Sequence, residues 1–263
     1  MFGVPLLRAS QSSGRAEKAA SLCLTGKSFQ SPAEAAKVLH RAADSVLLRG
    51  SKVETGRVSD PANAFEAQRP GTAAIGAALL HLEKCSKEKT SRLEAGTSAK
   101  MDDASIEGSW RLIYSISKRA QRALSERLSE ESSDVNIRAG MYFPLEARIH
   151  FRTEPESPYH VRFVMNEAYL PLHLLGIQFA GPCVFMKKYN RLLFDFCELR
   201  LQSFGLLSPG VRYKKHEPRL EELSLQHRRR LPFFTFFYTD SFILAGRGRG
   251  GGLALWAQES DQN

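Results

Sequence analysis

The stretch that most constrains this chain is Phe233-Phe-Thr-Phe-Phe-Tyr-Thr-Asp-Ser-Phe-Ile-Leu-Ala-Gly-Arg-Gly-Arg-Gly-Gly-Gly-Leu-Ala-Leu-Trp256. An aromatic run, a polar turn at Thr239-Asp240-Ser241, a short apolar run, a glycine cluster and a last apolar run follow in order. Consecutive antiparallel strands joined by tight connections read this way. Glycines 246, 248, 250, 251 and 252 are expected to supply the positive φ angles and close backbone approaches of a corner or bulge. Arg247 and Arg249 lie two apart and share a face on an extended backbone. Far upstream, Gly108-Ser-Trp-Arg-Leu-Ile-Tyr114 places a glycine, then a tryptophan, at the start of an apolar strand. Pairing that first strand with the last closes an up-and-down barrel and removes both sheet edges. An arginine near the final strand is then expected over the Trp110 indole, a cation–π contact worth about 0.5–2 kcal/mol.

These two ends resemble those of the plastid lipid-associated proteins, the fibrillins or plastoglobulins, which are lipocalin-like calycins. The family's entry, Gly-x-Trp-x-Leu-x-Tyr, is met by Gly108 to Tyr114, and its Tyr-x-Asp exit by Tyr238-Thr-Asp240 leading to Arg247-Gly-Arg-Gly. The likeness runs from Ile75 to Trp256 in element order, with motifs at the two ends. It implies a mainly β chain with amino-terminal helices (α+β), built on an antiparallel up-and-down lipocalin-like barrel of about eight strands, the number that leaves room for one small ligand. It also implies a non-enzymatic protein of the plastid that holds an apolar lipid, isoprenoid or pigment at a thylakoid or plastoglobule surface.

The rest of the chain divides into three parts. Residues 1–30 are rich in Ser, Arg, Lys and Ala, with Glu17 the first acid, and read as a transit-like leader or a disordered basic tail. Residues 31–105 form a helical region and linker. Ser31-Pro-Ala-Glu34 is a capping box with proline at the first helical position, and Ala35, Val38, Leu39, Ala42 and Val46 recur at helical spacing. A second helix is expected over Thr72 to Lys89. Residues 106–258 form the barrel. Within it, Ser117 to Glu131 reads as an amphipathic helix and a candidate lid. Leu145 to Arg152 alternates cleanly, with Leu145, Ala147, Ile149 and Phe151 on one face. In the next strand Tyr159, Val161, Phe163 and Met165 are expected on the apolar face. Leu170 to Phe185 reads as an irregular or bulged strand, and Asn190 to Leu201 as another strand.

A formal charge of +9 implies attraction to an acidic partner or a solvated basic face. Composition, at 43% hydrophobic and 25% charged, is that of an ordinary globular chain, and no run reaches the roughly eighteen apolar residues of a membrane span. Four cysteines lack metal-ligand spacing; Cys183 and Cys197 fall in apolar runs, where cysteine acts as a small hydrophobe. No nucleophile–base, zinc or phosphate-loop motif is present, so neither catalytic residues, metal ligands nor a cofactor are expected. The Gly246-Arg-Gly-Arg run fits a barrel corner better than a nucleotide or RNA motif, and nucleic acid is not expected as a partner.

The candidate ligand-binding residues are Trp110, Tyr114, Phe163, Phe194, Phe196, Phe236, Tyr238, Asp240, Arg247 and Arg249. The phenylalanines would line the interior. Trp110, Arg247 and Arg249 would close the barrel and border the pocket. Asp240 matches the family's acidic position, with an Asx-type turn as its other reading. A filled barrel serving as a docking module in a membrane protein complex is the competing function.

Overall fold

The protein is described by a computed structural model covering residues 29–52, 69–92, 106–129, 139–153, 162–169, 175–203, 206–208, 210–212, 220 and 225–259. The expected leader and most of the expected linker lie outside these residues, as do Tyr159 and Val161 of the expected strand.

Helix α1 spans Pro32–Lys52 and starts with the Ser31 half of the expected capping box: the Glu34 amide donates to Ser31 Oγ at 3.3 Å, while Glu34 Oε2 accepts the amide of Gln30, one residue before the cap, at 3.0 Å. It runs past Gly50, although glycine commonly ends helices. Helix α2 spans Thr72–Arg92, and α3 spans Lys118–Ser129 with Ser117 capping it through the Ala120 amide. Strands follow as β1 Gly108–Ile116, β2 Met141–Tyr142, β3 Glu146–Thr153, β4 Arg162–Tyr169, β5 Leu175–Met186 and β6 Arg191–Phe194. After them come β7 Glu198–Ser203, β8 Leu206–Leu207, β9 Val211–Arg212, the short helix α4 Leu225–Arg228, β10 Phe233–Thr239, β11 Ile243–Gly248 and β12 Leu253–Gln258.

All ladders among the described residues are antiparallel. Eight strands close a ring in the order β4-β3-β1-β12-β11-β10-β6-β5, with β5 returning to β4. First and last strands pair over Trp110↔Gln258 to Ile116↔Leu253, as the end motifs imply. The region expected to be irregular is one long strand, β5. Its second half pairs with β6 and its first half with β7, which leaves the ring to pair with β8 and β9. The expected strand from Asn190 is thus split at Asp195–Cys197, where the Asp195 and Cys197 amides still donate to the carbonyls of Pro182 and Ala180 at 3.0 Å.

Two apolar cores result from strand alternation. The lumen holds Trp110, Ile149, Phe151, Val164, Cys183, Phe185, Leu192, Phe194, Phe236, Leu244 and Trp256. The outer faces of β1, β11 and β12 present Ile113, Ile116, Ile243, Ala245, Leu253 and Leu255 to Leu39 and Ala42 of α1 and Ile75 and Leu79 of α2. The helices are therefore a second layer sharing a core with the barrel wall. Helix α3 belongs to this layer: Leu124 is buried in the outer core and Gln121 Nε2 donates to the Ile116 and Gly251 carbonyls. It lies beside α2 rather than arching over the lumen, which corrects its reading as a lid.

Of the five clustered glycines only Gly251 takes a positive φ, 83°, in the β11–β12 turn. Gly246 serves a close approach instead, since a Cβ there would stand 2.8 Å from the Phe236 ring.

A candidate apolar lumen and its mouth

The barrel has a floor and a mouth. At the floor, where β1 begins, the Trp110 indole N–H donates to the Ile106 carbonyl at 2.9 Å and both residues are buried. Phe151 on β3 and Phe236 on β10 stand four strands apart in a ring of eight, so they face each other across the axis. Their rings meet edge to face at 6.4 Å. At that level the lumen is filled by protein.

Toward the mouth the rings form a continuous chain. Phe236 is followed by Phe234 at 6.2 Å, Phe194 at 5.3 Å, Phe196 at 5.0 Å and Phe179 at 5.8 Å. Burial loosens along it, from a fully buried Phe236 to half-buried Phe196 and Phe179. Small residues, Ala147, Ala168 and Ala254, occupy the lumen-facing register toward this end.

The apolar lining then continues beyond the barrel. Leu175, Ile177 and Phe179 of β5 stand opposite Ser203, Leu201 and Leu199 of β7, and Leu199 stands opposite Val211 of β9. Directly opposed residues share a face, so the lumen surface of β5 extends onto an outward ribbon. There Leu201, Leu206 and Val211 are 55%, 77% and 63% exposed.

The sequence candidates separate into distinct places. Trp110, Phe194, Phe196 and Phe236 are in the lumen. Phe163 pairs with Arg152 and Pro182 in β4, and its side chain lies outside the described residues. The apolar register of that strand is carried by Val164, not by the expected Phe163/Met165 face, because Val164 aligns with Phe151 and Gly181. Tyr114 and Tyr238 point outward, each following a register shift in its strand. The Tyr114 hydroxyl has the carbonyls of Thr72, at 2.9 Å, and Ala139 as acceptors for its one proton, and burial raises its pKa. The Tyr238 hydroxyl donates to Asp240 Oδ2 at 3.0 Å; burial and that carboxylate push it up to about 12.

Asp240 forms the Asx-type turn. Its Oδ1 accepts the amides of Phe242 and Ile243 at 2.8 Å, and Oδ2 meets His40 Nε2 of α1 at 2.8 Å. Burial alone would raise this carboxyl; the two amides, His40 and Tyr238 outweigh it and hold the pKa below its ordinary value. Asp240 therefore ties α1 to the β10–β11 turn.

Arg247 does not cover the Trp110 indole. It lies on the outer face and clamps Glu83 of α2 through Nε and Nη2 at 2.6 and 2.5 Å, while Nη1 donates to the Gly251 carbonyl. Burial pushes the Glu83 carboxyl up, but the bonds from Arg247 and Lys87 more than offset it and the pKa is lowered. Arg249 is exposed at the hairpin tip and donates to the Arg230 carbonyl. The correction follows from alternation: Phe236 opposes Gly246 inside, so 247 points outside.

Sequence reading did not single out Phe151, Phe234 and Trp256 for the lumen, nor Leu201, Leu206 and Val211 for the ribbon. The spacing of Phe234 from Phe236 and of Ala254 from Trp256 carried the first signal. Nothing local announced the second.

The outer face of β3, β4 and β5 carries a polar network. Glu167 accepts from Tyr169 at 3.1 Å and Gln178 at 2.8 Å and lies 3.3 Å from His150 Nε2, while Arg148 pairs with Glu146 and Glu259. Cys183 and Cys197 are buried. Among the described residues there is no cluster of three His, Cys, Asp or Glu suited to a metal ion, and no helix long and apolar enough to cross a membrane. No family model, no curated protein and no solved structure matches this chain.

Proposed function

We propose that this chain is a non-enzymatic carrier of an apolar molecule (an isoprenoid, a carotenoid or an acyl lipid) that works at a thylakoid or plastoglobule surface of the plastid. The observation that carries the reading is the unbroken apolar surface from Phe194 and Phe196 in the lumen, through Phe179, to the exposed ribbon at Leu201 and Val211. The plastid assignment rests on the resemblance of the two ends and the basic, Ser-rich first thirty residues.

In this reading the floor rings Phe151 and Phe236 limit the guest to the mouth half of the barrel. Phe179, Phe194 and Phe196 cover it there, among the small side chains of Ala147, Ala168 and Ala254. The driving force is burial of apolar surface, roughly 25 cal/mol per Å² removed from water. Trp110 and Phe236 support the site from below.

The competing reading, a docking subunit of a membrane protein complex, is favoured by the Phe151–Phe236 contact across the axis, since a filled barrel needs no guest. Native mass spectrometry of the full chain, purified from a photosynthetic lipid background, separates the two. The carrier is expected to retain one stoichiometric apolar molecule and to lose it in Phe196→Glu without losing its fold. A bare protein mass, with no uptake from a lipid mixture, would favour the docking subunit.

A further inference from the structure

We infer that the mouth end of the barrel is the membrane-docking face, and that the surface it recognises is a bilayer carrying anionic headgroups. The inference rests on the carrier reading, since a guest drawn from a membrane must enter through an end that meets it.

Strand order places basic segments side by side around this rim. Helix α3 follows β1 and carries four cations, among them exposed Lys118, Arg119 and Arg122, against the single acid Glu126. An open groove on its surface is lined by those three cations with Ala123 and Glu126. Next comes the β11–β12 tip, tied to α3 by Gln121 Nε2 donating to the Gly251 carbonyl at 3.0 Å. On the tip's other side the Arg249 amide donates to the Phe233 carbonyl at 3.0 Å and its guanidinium to the Arg230 carbonyl. Exposed Arg229 and Arg230 thus sit next on the rim, just before β10. The arc then meets the outward ribbon through β6, where the Phe194 amide donates to the Pro232 carbonyl at 3.2 Å.

The ribbon supplies the apolar half. Its exposed large side chains are the aliphatic Leu175, Leu201, Leu206 and Val211, all on the lumen-continuous face. The ribbon's own charges leave one net cation: Arg200 bonds Glu198 at 2.7 Å, and the same Glu198 stands opposite Arg212. A cationic arc beside projecting aliphatic side chains complements a bilayer, with cations at the phosphates and leucines below them. Single-stranded nucleic acid would call for aromatic platforms on the same arc, and the described exposed hydrophobics of this end are aliphatic.

The test mixes full-length protein with phosphatidylcholine vesicles or with vesicles also containing phosphatidylglycerol, and reads cosedimentation at low and high salt. Binding is expected only to the anionic vesicles and is expected to fall with salt. Arg122→Glu combined with Arg229→Glu is expected to lower partitioning at least about 30-fold, from about fivefold per basic residue near an anionic surface. Leu206→Glu is expected to lower it without changing the headgroup preference. Equal binding to both vesicle types, or an unchanged double variant, overturns the inference. So does capture of a single-stranded RNA oligomer that anionic vesicles fail to displace. The guest is read separately by native mass spectrometry. A protein that holds its guest but ignores anionic vesicles sinks only the docking face, while one that binds vesicles and carries no guest sinks only the carrier.

Discussion

The barrel has two outer walls made by the same alternation of residues, yet they differ in chemistry. On β11, β12 and the end of β1 the outward positions are apolar, among them Ile243, Ala245, Leu253 and Leu255, and α1 and α2 cover them. On β3, β4 and β5 the outward positions are Arg148, His150, Glu167, Tyr169 and Gln178, which bury themselves in one another. The strand period decides which residues point out; the presence of a second layer decides what they must be. A wall with a helical cover draws its stability from apolar area, whereas a wall with no cover among the described residues draws it from ion pairs and hydrogen bonds between its own polar side chains.

The sharpest way to break this contrast is to open a cavity under the helices. Leu79→Ala, at a fully buried position, is expected to cost about 3–4 kcal/mol, read as a fall in the urea midpoint. Next in size is Arg247→Ala, which leaves the Glu83 carboxylate in its buried place. Lys87 stays 3.0 Å away and the site retains some solvent, so the loss is expected near the low end of the range for broken buried pairs, about 3 kcal/mol. Glu83→Gln added to Arg247→Ala should recover part of it.

On the uncovered wall, Glu167→Gln is expected to cost about 1–3 kcal/mol, by unbalancing the donors gathered on that carboxylate. Both walls share an acid limb. Glu83, Glu167 and Asp240 all have lowered folded pKa values, so their contribution is complete above the unfolded carboxyl value of about 4 and is lost as pH falls through the lower folded value. Urea midpoints measured down the acid range should fall, and Glu167→Gln should remove only the uncovered wall's share of that slope. Smallest is Tyr238→Phe, which deletes one hydrogen bond to Asp240 and is expected to cost about 1 kcal/mol.

Much of this architecture could be read before any coordinates. The Ser31 cap, the alternation of β3 and the pairing of first strand with last are local or terminal patterns, and each appears as expected. What could not be read depends on register or on distant partners. The shifts after Leu112 and Phe236 turn Tyr114 and Tyr238 from lumen to outer wall, and a one-residue slip leaves no mark in composition. The partner of Arg247 is Glu83, 164 positions away on a helix whose docking only the tertiary fold defines. The phase of β4 was misjudged because aromatic Phe163 outweighed Val164 as a hydrophobic signal. The ribbon escaped notice because Glu198 to Ser203 alternates like any strand, and only pairing shows that it leaves the ring.

Gly181 marks the place where the ring divides. A Cβ there would lie 1.9 Å from the Asp195 carbonyl oxygen, so the kinked chain between β6 and β7 presses directly onto bare backbone. Below that point β6 joins β5 to β10; above it β7 pairs with β5, β8 and β9, with no ladder to β10 among the described residues. The circumference is thus fixed at one end and slit at the other, like a split collar. Under the proposed carrier function, a long-chain guest would have a sideways outlet there: its head would stay seated while its tail left through the wall, and the length of the tail would not have to match the depth of the barrel.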